Sequence, residues 1–196
     1  MIFDPILLQK YRLMYLKLRA ITGPSRYYIL NIIKNNPEIN VTGLVEITNM
    51  GQPIVSQHLA VLKKASLVYS VVHLKERKYA IRAEELDSLI QFCYQIRNGK
   101  GKTDLALNNA YSTLLEGYRY LKFLLQPGRL VLMELLDRTQ GSSVNELSEL
   151  TKQSQSIASQ NLKILTKLGV IAKKIEGRKS LFYINNERME FLKRIF

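Results

Sequence analysis

The sequence predicts a mainly α-helical chain with small β-hairpins, built from two copies of one domain. Three observations support this: a segment that repeats without a gap, apolar residues at helical spacing through most of each copy, and a switch to period two at each copy's end. Sliding the sequence by 103 positions lays residues 24–72 on 127–175. Pro24 then falls on Pro127, Arg26 on Arg129, Leu44 on Leu147, and Ser56-Gln57 on Ser159-Gln160. The matches collect at apolar positions and in one polar cluster, the pattern of two copies that build the same core and present the same surface.

The first element, residues 4–21, is apolar over more than one face through Leu7, Tyr11, Met14, Leu18 and Ile21. It reads as a helix that buries more surface than one domain covers. "SRYYILNIIKNN" sets Tyr28, Ile29, Ile32 and Ile33 at helical spacing and stops at Asn35, Asn36 and Pro37, and "GRLVLMELLDRTQGSS" is its repeat. "VTGLVEIT" is a short helix on Leu44, Val45 and Ile47, matched by Leu147 and Leu150. A tight turn follows at Asn49 to Gly51. Asn tolerates the left-handed conformation such a turn requires, and Lys152 stands at the matching place.

The next helix opens with Pro53, whose missing N–H costs nothing in a first turn. Val55, Leu59 and Leu62 form its core stripe and leave Gln52, Ser56, Gln57, Ala60 and Lys63 outward. In the repeat, Ser154 is the expected N-cap. From Leu67-Val68 the period falls to two: "VYSVVHLKERKYAI" and "VIAKKIEGRKSLFYI" each read as strand, basic turn, strand. Further helices are expected at residues 84–98, 104–125 and 187–196. "RNGKGKT" reads as a linker, which divides the chain into domains 1–98 and 104–196 joined by 99–103.

Helix, short helix, turn, exposed polar helix and basic-tipped hairpin is the order of a winged helix-turn-helix, here present twice in one chain. A helix fits the major groove of B-form DNA, and its outward side chains must hydrogen-bond to read base edges. The recognition helices are therefore expected at 53–65 and 156–168. Candidate DNA contacts are Gln52, Ser56, Gln57, His58 and Lys63 in the first copy, with Gln155, Ser156, Ser159, Gln160, Asn161 and Lys163 in the second. Lys75, Arg77, Lys78, Arg178 and Lys179 on the hairpins are candidates for phosphate.

At "PIVSQHLAVLKKASLV" followed by "RKYAI" the sequence resembles the ArsR-type winged-helix transcriptional regulators, through Ser56-Gln57-His58-Leu59 with Leu62 and, again, Ser159-Gln160-Asn161-Leu162 with Leu165. The resemblance implies double-stranded DNA as partner and pairing through the first and last helices. In a duplicated chain that pairing becomes an internal pseudo-dimer, related by a pseudo-twofold axis, and pairing with a second chain as a homodimer is the competing arrangement. Members that sense metals resemble one another in a Cys pair before the turn, or in His and Asp/Glu ligands in the last helix. "LVEITN" and "LSELTK" contain no cysteine, so no metal site and no cofactor are expected.

Composition agrees with this reading. The chain has 196 residues, 29 Lys+Arg against 16 Asp+Glu, and a formal charge of +13 shared between both halves, which favours a polyanionic partner. Its one cysteine, Cys93, excludes an internal disulfide and suits a reducing cytoplasm. No apolar run reaches membrane-spanning length, and charges interrupt the N-terminus in a way a signal peptide does not tolerate. No phosphate-cradling loop, paired carboxylates or activated nucleophile is present, so an enzyme is not expected. The competing function is a winged-helix adaptor for protein or RNA. The sequence indicates no particular small-molecule effector.

Overall fold

The computed structural model describes residues 4–74, 76–99, 103 and 105–195. Helix α1 (Pro5–Ile21) is followed by α2 (Pro24–Asn35), strand β1 (Ile39–Asn40), α3 (Val41–Thr48) and α4 (Gln52–Lys64). The hairpin β2 (Val68–His73) and β3 (Glu76–Ile81) then leads into α5 (Ala83–Asn98). A single 3-10 turn at Leu107–Asn109 precedes α6 (Tyr111–Leu124). The pattern then repeats as α7 (Pro127–Thr139), α8 (Val144–Thr151), α9 (Gln155–Lys167), β4 (Ile171–Glu176), β5 (Lys179–Ile184) and α10 (Asn186–Arg194).

Two compact units result, Leu13–Tyr118 and Met1–Arg12 with Arg119–Phe196. Their boundaries fall inside α1 and α6, so each of these helices belongs to one unit at its start and to the other at its end.

In the unit of Leu13–Tyr118, the core is made by Ile29, Leu30 and Ile33 of α2, Leu44 of α3, the Val55, Leu59 and Leu62 stripe of α4, and Leu89 of α5. Tyr28, which shares the helical spacing, is 48% exposed. It stands beside Ile29 on the outer edge of the α2 stripe, and Leu30 takes the inward position. The hairpin is antiparallel with Val68 opposite Ile81, and β1 adds a third strand through Ile39 opposite Tyr79. Of the expected linker only Gly99 and Thr103 are described, and the Thr103 N–H donates to Gln91 Oε1 at 3.0 Å. The helix expected from residue 104 begins instead at Tyr111. The Leu107 carbonyl accepts the Ala110 N–H (3.1 Å) and the Tyr27 hydroxyl, so it is taken before a longer helix can use it. The Tyr111 hydroxyl donates to the Thr22 carbonyl at 3.0 Å, fastening the start of α6 to the end of α1.

In the other unit, Leu132, Met133 and Leu136 of α7, Leu147 of α8, Ala158, Leu162 and Leu165 of α9, and Met189 and Leu192 of α10 form the core. Leu150, read as an apolar partner of Leu147, is 58% exposed. Tyr11, from the first part of α1, is fully buried and donates to the Leu192 carbonyl at 2.8 Å. The second hairpin pairs Ile171 with Ile184. Among the described residues it has, in place of a third strand, one bridge, Ser142 opposite Phe182.

Candidate nucleic-acid interface

Each exposed helix is set by the turn before it. Asn49 closes α3 at φ 55°, ψ 28°, and Lys152 closes α8 at φ 54°, ψ 30°. Both turns thus adopt the left-handed conformation, with the lysine accepting the strain of a Cβ there. Gly51 then caps α4 with Pro53 in its first turn, and the Ser154 hydroxyl caps α9 by accepting the Ile157 N–H at 3.3 Å. The N-cap of α8 is stronger: Ser143 and Glu146 satisfy each other's backbone N–H groups in a capping box. That carboxylate is held below its ordinary pKa by the Ser143 backbone and hydroxyl.

With Val55, Leu59 and Leu62 inside, α4 turns Gln52, Ser56, Gln57 and Lys63 to solvent, and α9 does the same with Gln155, Ser156, Ser159, Gln160 and Lys163. Ser56, Gln57, Ser159 and Gln160 make no side-chain hydrogen bond among the described residues, so their donors and acceptors stay open. Gln155 Nε2 donates to Asn145 Oδ1 at 2.9 Å, and Lys63 Nζ to Ser70 Oγ at 2.9 Å. A cleft of about 720 Å³ runs between the outer face of α4 and the hairpin, lined by Ser56, Ala60, Lys63, Val72 and Arg77.

His58 and Asn161 occupy matching positions and are both half-buried. Asn161 Oδ1 accepts from Arg129 Nε at 3.1 Å, and the same guanidinium bonds the Phe123 carbonyl at the end of α6. Arg26, the counterpart of Arg129, bonds the carbonyls of Ala20 and Arg19 (3.1 Å to the latter) at the end of α1. It lies close enough to His58 to help hold that ring below its ordinary pKa, after the larger effect of burial. Helix ends are favourable places for a cation. Arg129 therefore connects the helix that opens its copy to the helix expected to read DNA, whereas Arg26 bonds back to α1 and acts on His58 through its charge alone. Sequence reading missed this pair although the Arg26/Arg129 match was its signal.

On the first hairpin Arg77 is exposed, and Lys78 is drawn to Glu38 at 3.1 Å. Lys75 lies outside the described residues. On the second, Arg178 and Lys179 are exposed, as are Lys173 and Lys174, two further cations that a reading centred on the turns passed over. Lys174 Nζ stands 5.1 Å from the centroid of the Tyr183 ring.

Each half of the chain therefore folds as a helix-turn-helix followed by a hairpin wing, the architecture of DNA-binding transcription regulators. The family described as "Bacterial regulatory protein, arsR family" matches residues 23–70 and again residues 126–173. The chain is a tandem arsR-type regulator, with two such domains in succession. No curated protein matches it. Among the described residues no helix is long and apolar enough to cross a membrane, and no group of three or more His, Cys, Asp or Glu is placed to hold a metal ion.

Proposed function

We propose that this regulator binds one DNA sequence selectively, laying α4 and α9 in the major groove with the hairpins against the phosphates. The observation behind this reading is the pair of matching polar faces. Ser56-Gln57 and Ser159-Gln160 are exposed and uncommitted in both copies, and hydroxyl and amide groups are the ones that read base edges. Arg77, Arg178 and Lys179, with Lys173 and Lys174, supply phosphate contacts, and Lys75 is a further candidate for them. One chain serves as its own dimer, and the division of α1 and α6 between the two compact units supports that role. The operator is an imperfect repeat with half-sites about one helical turn, ~34 Å, apart.

Selecting bound sites from a random DNA pool tests the reading, with a two-part consensus as the expected result. Replacing Gln57 and Gln160 together with Ala is expected to cost about 1–3 kcal/mol of discrimination per lost base contact. The salt dependence, which reports phosphates, stays unchanged. Enrichment of no consensus, with affinity indifferent to salt, would leave the chain a protein-binding adaptor instead.

A further inference from the structure

A groove of about 430 Å³ opens in the unit of Leu13–Tyr118, between the later turns of α1 and the C-terminal half of α4. Its walls are apolar and uncovered: Leu13 is 53% exposed, Leu16 54% and Val61 37%. Two small residues, Ala20 and Ala65, are among its lining and leave the space open. Around it are Arg19, Arg26, Lys17 and Lys64, with no carboxylate among the lining residues. Lys17 is neutralised by Glu85, and Arg26 is committed to carbonyls. Arg19 and Lys64 are exposed and have no ion-pair partner among the described residues.

The second copy carries bulkier side chains at this place. At the offset of 103, Ala20 becomes Phe123, Ala65 becomes Leu168 and Lys17 becomes Tyr120. The Phe123 ring lies under the Arg129 guanidinium, 5.7 Å from it, and the Tyr120 hydroxyl reaches the Leu168 carbonyl at 3.5 Å. The matching place in the second copy thus carries Tyr120 and Phe123 where the first has Lys17 and Ala20, with Phe123 itself 42% exposed.

We propose that the groove of the first copy binds a small amphiphilic anion, an aliphatic or aromatic carboxylate. Its apolar body lies between Leu13, Leu16 and Val61, and its carboxylate meets Arg19 and Lys64. The volume lies within the range of small-molecule sites, about 300–1,000 Å³. A DNA phosphate has no use for the apolar walls. A second copy of this chain docked here across a twofold would bring two sets of Arg19 and Lys64 to one interface with no carboxylate among the lining residues to balance them, and like charges across an interface repel. The groove touches the helix expected to read DNA, so occupancy and DNA binding are linked. Only that coupling rests on the function proposed above.

Decanoate, kept below its micellar concentration, is titrated into the full chain without DNA by calorimetry, with decanol as the uncharged control. Saturable binding of one decanoate per chain, with decanol several-fold weaker, is expected. The double change Ala20→Phe with Ala65→Leu, which plugs the groove with the bulkier side chains that the second copy has at these positions, abolishes binding. Arg19→Gln with Lys64→Gln alters only exposed side chains and weakens decanoate without weakening decanol. Equal binding by plugged and native chains overturns the proposal. So does a plugged variant whose sole change is its sedimentation behaviour, which would make the face a contact between chains. Retention on anionic phosphatidylglycerol vesicles without saturable decanoate binding overturns it as well. Decanoate bound at the groove with unchanged affinity for the selected operator overturns the coupling and leaves DNA recognition standing.

Discussion

Gly117 of α6 faces Cys93 of α5 so closely that a Cβ would collide with the sulfur. An Ala for Gly exchange inside a helix ordinarily stabilises by about 1 kcal/mol. Here overpacking outweighs that gain, and Gly117→Ala is expected to destabilise by about 1–3 kcal/mol in urea unfolding. Burial also pushes the Cys93 thiol well above its ordinary pKa. A thiol reagent at neutral pH is therefore expected to label it only as the chain unfolds. His58 responds oppositely, its pKa lowered by burial and then by Arg26. A lowered native value means that the unfolded chain takes up its proton first. The stability is complete above the free-imidazole value of about 6.5 and is lost as pH falls below it. His58→Asn, the residue that the second copy uses, is expected to flatten the acid side of a plot of Tm against pH. An unaltered plot would remove His58 from the balance.

The two copies build corresponding elements by different means. Asn40 caps α3 alone through Gly43, whereas Ser143 and Glu146 cap α8 reciprocally. Ser143→Ala is expected to cost about 1 kcal/mol, measured by thermal unfolding. An effect near zero would show that water replaces the hydroxyl at that exposed end. The hairpins differ likewise, since β1 protects one edge of the first and a single bridge stands in its place beside the second. The stripe of Val55, Leu59 and Leu62 was legible in the sequence because a helix half in a core must repeat at its own pitch. Strand β1 was not, because two residues have no period. The shortened start of α6 was hidden for another reason: it depends on Tyr27 and Tyr111, hydroxyls delivered to backbone carbonyls 80 and 89 positions away in the chain.

The charge of +13 belongs to both halves of the chain, so either copy alone is attracted to a polyanion. What separates the copies is the detail of their polar faces, His58 against Asn161 and Pro53 against Ser156. Gln57→Ala and Gln160→Ala, made separately and put through the same selection, are each expected to erode one half of the consensus. Erosion of the same positions by both changes would mean that the copies do not read separate half-sites.

The sequence by itself determined the duplication, the order of the elements, the two core stripes and the outward polar faces. All of these are local, and periodicity or direct repetition records them. The tertiary structure decided which helices complete which unit, where Lys78 and Asn161 spend their hydrogen bonds, and that the first copy keeps an open groove between α1 and α4. Such facts depend on residues far apart in the chain meeting in space, and no pattern along a single strand of sequence encodes that meeting.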